Sequence, residues 1–276
     1  MSLRRLRRLL WFGVLAFVLT TFVSGVWSAL LAVNVEKTPA VPWAVAAMAL
    51  LLWGLWQYLG GRWWPRTTSR ARREYLRAWP VKGRMLVWAL LAGALSLLAL
   101  TGAWIVLFQS GLMRGNTLPA YSRYPVLTVA PVLVMASLVG AFVEEGGFRG
   151  YFQGMLERES PPATAIAITA ALMAPAHGLT QGFAWPTLVF YFLVDAMLGV
   201  TAYLCNSIWP GIVVHAVGLL VFFTLVWPFD PMRALAGRAV SDPWFWVHVA
   251  QAAGGSVLAT MAFLRLGSVR KMTTAG

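Results

Sequence analysis

Cysteine is almost absent from this 276-residue chain: Cys205 stands alone. One thiol excludes an intrachain disulfide and every zinc motif built on paired cysteines, so cysteine usage says nothing of the redox compartment. Charge is scarce too. Charged residues make up 11% of the chain and hydrophobic ones 59%, with a mean hydropathy of +0.71. A soluble globular domain carries about 25% charged residues, so there is too little polar surface here to cover a water-soluble body. Acidic residues are the rarest charge, nine against 22 Lys and Arg. Internal repeats and long low-complexity linkers are lacking as well, and one compact bundle is the simplest organisation.

Long apolar runs are abundant. About 20 helical residues cross the hydrocarbon core of a bilayer, and the pattern predicts eight such spans, at 9–33, 41–60, 85–108, 125–150, 163–183, 186–205, 208–228 and 244–264. The fold class is therefore an all-α polytopic membrane helix bundle. The first span follows a charged start, "MSLRRLRRLL", but its apolar part runs to about Val33. That is too long for a signal peptide, whose apolar region is roughly 7–15 residues, so it reads as an uncleaved helix.

The net charge of +13 does not point to nucleic acid, because the basic residues are grouped by loop. With the N-terminus inside, 16 Lys and Arg fall on the inner side and five on the outer, leaving Arg149 near or within the membrane. That asymmetry follows the positive-inside rule and places both termini in the cytoplasm. Trp63, Trp64, Trp185, Trp227 and Trp244 near span ends read as interface anchors, and His248 as a half-wet interface residue.

Four spans carry polar groups: Glu144, Glu145 and Arg149 in the fourth, His177 in the fifth, Asp195 in the sixth and His215 in the seventh. Ionisable groups inside a membrane cost several kcal/mol and usually pair or line a wet cavity. Glu145 and Arg149 are four apart and share a helical face. Glu144 is rotated about 100° from Glu145, which leaves it available as a general base. In the antiparallel hairpin of spans four and five, Glu144 and His177 lie at similar distances from the turn near residues 160–161. His215 arrives on a span running the same way as the fifth, closer to its own turn, and one carboxylate and two imidazoles, Glu144, His177 and His215, can converge inside the bundle. Such a set can hold a metal such as zinc with an open position for water. It can equally let Glu144 activate water while a His stabilises the oxyanion. Both routes are hydrolytic. The small residues Gly146, Gly150 and Gly154 recur every four positions and read as a close-packing face.

"EEGGFRG", residues 144–150, resembles the EExxxR motif of the CPBP intramembrane proteases, which include the type II CAAX prenyl endopeptidases and bacteriocin-processing or self-immunity proteins. His177 falls at the histidine of their FxxxH motif, and His215 at that of HxxxN or HxxxD. The resemblance spans roughly residues 125–228 and implies a catalytic core there, between N-terminal transmembrane helices with a basic cytoplasmic loop (1–124) and a C-terminal transmembrane helix and tail (229–276). It implies an intramembrane endopeptidase acting on a membrane-associated or lipidated, CAAX-like peptide, with the bilayer as its other partner. Glu144 would activate the water, assisted by His177. Glu145 and Arg149 would shape the site, and His215 would help hold the oxyanion or a metal. A zinc ion on Glu144, His177 and His215 and a metal-independent glutamate mechanism both fit the family. The expected location is a bacterial inner (plasma) membrane.

Two positions depart from the family pattern. Met173 stands for the Phe of the second motif and still fills apolar space. Leu219 stands for the Asn or Asp of the third, and its side chain has no hydrogen-bonding group. Leu219 therefore keeps open the alternative of a catalytically impaired binding or immunity protein on the same fold. A transporter or proton relay also accommodates intramembrane Glu, Asp and His, but the paired repeats common in such proteins are lacking.

Overall fold

The computed structural model describes residues 3–113, 121, 124–233 and 239–275. Among these, every regular element is helical. The principal helices are α1 (Leu3–Ala32), α2 (Trp43–Leu59), α3 (Ser69–Leu76), α4 (Gly83–Gln109), α5 (Val126–Glu144), α6 (Pro162–Gln181), α7 (Trp185–Cys205), α8 (Trp209–Val221) and α9 (Pro243–Ala275). A helix stands at each of the eight expected spans. Among the described residues six apolar segments are long enough to cross a membrane: Leu9–Lys37, Gly83–Gln109, Val126–Leu156, Trp185–Cys205, Trp209–Phe229 and Pro243–Thr273. α2 is a shorter apolar helix, and α6 is 20 residues long with Pro175 inside it. The protein is a multi-pass membrane helix bundle.

Boundaries differ from the sequence reading in three places. The fourth span runs on to Leu156 because a π-helical segment, Glu145–Phe152, follows α5 without a break. The last helix extends to Ala275, well beyond the expected end near 264, and carries Arg265, Arg270 and Lys271 on its final turns. The basic loop at 61–84 contains a helix, α3, that apolar periodicity could not reveal because α3 is mostly polar.

The chain forms two compact units, and neither is continuous in sequence. The first comprises residues 1–79, 120–165 and 206–220. Here α3 docks on the π segment. A Cβ built on Gly150 would meet the Leu76 carbonyl oxygen at 2.9 Å, one on Gly146 the Leu76 Cδ1 at 3.3 Å, and one on Gly154 the Arg77 Cδ at 3.5 Å. The glycine stripe is thus a packing face, and the helix it receives is α3 with the residue that follows it. Two arginines of the basic loop are buried and hold this docking. Arg72 donates to the carbonyl of Tyr58, in the last turn of α2 where a helix cannot satisfy its own acceptors, and to those of Trp63 and Pro65 in the loop that follows, which ties α3 to α2 and that loop. Arg77, at φ 52°, ends α3, pairs with Glu157 and donates to the Arg149 carbonyl at 3.1 Å. At the other end of α1, fully buried Asn34 accepts from the Ala44 N–H at 2.9 Å and donates to the Thr38 and Val41 carbonyls, which fixes the turn into α2.

The second unit comprises residues 80–119, 166–205 and 221–276. Its frame is an antiparallel pair, α4 and α9. A Cβ on Gly102 would meet the Ala252 nitrogen and the His248 oxygen at 2.9 Å, and one on Gly255 the Ala99 nitrogen at 2.9 Å. Small residues that let backbones approach are the usual means of helix association in lipid, where apolar burial supplies no drive. Beside this frame lies an aromatic cluster around Trp104, which is 1% exposed and donates to Asp230 Oδ2 at 2.9 Å.

Replacing Gly255 by leucine is expected to destabilise the protein by about 1–3 kcal/mol through overpacking. Gly254→Leu is the control, since a Cβ there meets nothing within 4 Å. Thermal unfolding in detergent checks both, and equal midpoints would contradict the close α4–α9 contact.

Candidate active site

The site begins where α5 gives way to the π segment. Glu144 is the last residue of the α-helix and Glu145 the first of the π-helix. Single-turn π elements inside α-helices occur frequently at functional sites. Glu145 and Arg149 have no measurable exposure, and Glu144 and His215 are 9% and 8% exposed.

α8 brings His215 to these carboxylates. Its start is fixed locally: Ser207 Oγ accepts the Trp209 N–H at 3.2 Å and donates to the Trp79 carbonyl at 2.6 Å. Pro210 sits in the first turn, where a missing N–H costs nothing. The Ile208 N–H donates to the Arg77 carbonyl, so the arginine that ends α3 also holds the entry to α8.

His215 lies between the two glutamates. Its Nδ1 is 3.0 Å from Glu145 Oε1 and its Nε2 is 3.6 Å from Glu144 Oε2. Arg149 Nη1 lies 3.3 Å from the same Glu145 oxygen. Glu145 thus bridges a guanidinium and an imidazole. With Nδ1–H donated to Glu145, the imidazole is fixed in orientation and Nε2 faces Glu144. Glu144 Oε2 is buried and has no hydrogen-bond partner among the described residues.

The structure brings Glu144, Glu145, Arg149 and His215 together within the first unit. His177 and Asp195 belong to the second. There His177 stacks on Tyr191, with ring centroids 3.9 Å apart and planes 9° from parallel, and Asp195 is 2% exposed. Met173, also in the second unit, is buried at 2%, in keeping with an apolar filler. Leu219, one turn beyond His215, faces Gly140, one turn before Glu144: a Cβ on Gly140 would meet Leu219 Cδ1 at 3.4 Å. The position where the family pattern has a polar side chain therefore makes an apolar contact beside the site.

Among the described residues no group of three His, Cys, Asp or Glu side chains is placed to hold a metal ion. In the first unit the donors are Glu144, Glu145 and one imidazole, whose Nδ1 is already taken by Glu145, while the Arg149 cation sits on the Glu145 carboxylate.

Sequence reasoning missed Gly211 and Arg77. A Cβ on Gly211 would lie 2.8 Å from Glu145 Oε2 and 3.4 Å from its carboxyl carbon. The glycine is what admits the buried carboxylate against α8. Its only signal is its place in "SIWPG", one turn before His215. Arg77 carries no such mark, because nothing in the basic loop separates it from its exposed neighbours.

Residues 126–221 match the Rce1-like family, the type II CAAX prenyl endopeptidases. This segment is similar to that family. The match covers about a third of the chain and contains all three motif positions, Glu144, His177 and His215. The family is the CPBP/CAAX protease family that the motifs resemble. No curated protein and no solved structure gives a match.

Gly211→Ala is expected to push the Glu145 carboxylate away from His215. The imidazole nitrogen shifts of His215, measured by NMR on protein with labelled histidine, should then lose the signature of a hydrogen-bonded Nδ1–H. Unchanged shifts would show that Gly211 does not admit the carboxylate. Arg149→Ala removes the guanidinium from the buried Glu145 carboxylate and is expected to cost about 3–5 kcal/mol of stability, read from thermal unfolding.

Proposed function

We propose that this protein is an intramembrane endopeptidase that hydrolyses a peptide bond in a membrane-associated or lipidated, CAAX-like substrate. The observation that carries the reading is Glu144 Oε2, buried, without a hydrogen-bond partner among the described residues, and 3.6 Å from His215 Nε2. An acceptor left open in an apolar helix bundle is costly, and its use as a general base gives that cost a function. The Rce1-like segment supports the same reaction class.

In this reading a water bound at Glu144 attacks the scissile carbonyl carbon while Glu144 takes its proton. The carbonyl oxygen becomes an oxyanion. His215, protonated on both nitrogens, donates Nδ1–H to Glu145 and Nε2–H to that oxyanion. When the C–N bond breaks, Glu144 returns the proton to the leaving amine. Glu145 and Arg149 are positioning residues: they hold the imidazole and supply compensating charge. With Glu144 and Glu145 ionised and Arg149 and His215 protonated, the cluster is neutral, which suits a site deep in an apolar bundle. His177 is assigned the assisting role by its motif position. The mechanism is the metal-independent one, and the location is a bacterial inner (plasma) membrane with the site reached from the cytoplasmic side.

The test uses purified protein in proteoliposomes with a membrane-tethered reporter ending in a prenylated cysteine. Glu144→Gln is expected to lower turnover by about 10²–10⁴-fold, the range for a general base, while thermal unfolding stays near that of the unsubstituted protein. A folded Glu144→Gln protein that cleaves at the normal rate would sink the proposal. Comparing the prenylated reporter with its unprenylated twin tests the substrate class separately.

A further inference from the structure

The second unit carries a half-open, largely apolar groove, bordered by arginines, that plays no part in the proposed reaction. Its volume is about 350 Å³ and it is lined by Arg84, Trp88, Arg265, Ser268, Val269 and Met272. The register of α4 against α9 explains how these residues meet. Gly102 faces Ala252 and Gly255 faces Ala99. Followed toward the start of α4, the same antiparallel register pairs Ala89 with Leu266, which share a small core cluster with Cys205. One further turn brings Arg84 level with the last turns of α9.

The charge there is of one sign. Neither α4 nor α9 contains an Asp or Glu, while Lys82, Arg84, Arg265, Arg270 and Lys271 gather at this end. The arginines are not equivalent. Arg270 is engaged internally: it donates to the Tyr203 carbonyl at 2.7 Å and lies over the Tyr203 ring. Arg233, in the same unit, donates to the Val226 and Leu225 carbonyls. Arg84 and Arg265 make no hydrogen bond or ion pair among the described residues, and both are exposed. Two arginines without partners among the described residues therefore border a groove whose walls are largely apolar.

That combination fits one chemistry. A phosphodiester accepts planar, bidentate hydrogen bonds from guanidinium groups, and an acyl chain continues along Trp88, Val269 and Met272. The basic end is the one that the positive-inside rule puts at the cytoplasmic leaflet, where anionic lipids reside and where basic pockets between helices bind their headgroups. We propose that the α4–α9 end is a binding site for an anionic phospholipid, with its phosphate held between Arg84 and Arg265. The lipid would staple the two helices where their contact ends in charged residues. The proposal stands independently of the protease reading.

The experiment measures thermal unfolding of the full chain in detergent while titrating dioleoylphosphatidylglycerol, dioleoylphosphatidylcholine or inorganic phosphate. Phosphatidylglycerol is expected to raise the midpoint, and the other two are not. Arg84→Gln with Arg265→Gln should weaken the phosphatidylglycerol effect about 30-fold in apparent affinity, and each single change about fivefold, from the usual contribution of a basic residue near an anionic surface. Arg66→Gln with Arg70→Gln removes the same charge from exposed residues of the other unit and should leave the effect intact. Equal loss in that control would overturn the proposal in favour of unspecific attraction. An equal shift with inorganic phosphate would overturn it in favour of a simple anion site. If the double variant unfolds early without lipid, the two single variants carry the test.

Discussion

The carboxylate of Glu145 is the point on which the first unit's chemistry rests. It is fully buried, and one of its oxygens meets both the Arg149 guanidinium and His215 Nδ1. An isolated carboxylate in such surroundings would be prohibitively costly, and a buried pair repays that cost only with good geometry and further hydrogen bonds. Each supporting feature supplies one of these. Gly211 removes the side chain that would block the carboxylate, the π-helical turn carries Arg149 on the same element, and α8 is started by a Ser207 cap that sets the depth of His215. Glu144 then occupies the remaining face of the imidazole, at the longer distance of 3.6 Å.

Arginine is used here in ways that net charge conceals. The +13 balance reads as a set of positive-inside loops. Yet Arg72 and Arg77 are buried in the first unit, where Arg72 binds carbonyls at the end of α2 and in the loop after it and Arg77 ties the end of α3 to the π segment. The five donors of a guanidinium suit this work, because several carbonyls at a helix end need partners at once. Arg84 and Arg265, with the same chemistry, have no partner among the described residues and border an open groove instead.

Much of the fold was legible because membrane helices announce themselves by length and hydropathy. The eight expected spans each coincide with a helix, and six are long and apolar enough to cross a bilayer. The pairing of Glu145 with Arg149 was legible too, since residues four apart on a helix share a face whether the turn is α or π-like. α3 was not. It is short and polar, and its burial depends on glycines some 70 residues away in sequence. The close approach of His215 to both glutamates was only one possibility in the sequence. It became definite through Ser207, Pro210 and Gly211, residues whose roles depend on what faces them.

By itself, then, the sequence determined a multi-pass helical protein with a rare set of intramembrane acids and histidines, and motifs that resemble one protease family. Those properties are local: hydropathy, spacing along a helix and the order of motifs need no knowledge of the partners. Tertiary structure alone decided which atoms meet. It chose Nδ1 for Glu145 and Nε2 for Glu144, made Gly211 the door to a buried carboxylate, and gave Leu219 an apolar neighbour in Gly140. It also left two arginines open at the end of α4 and α9. The physical reason is that a contact depends on helix crossing, register and the absence of a Cβ at one point, and none of these is written in the chain on either side of that point.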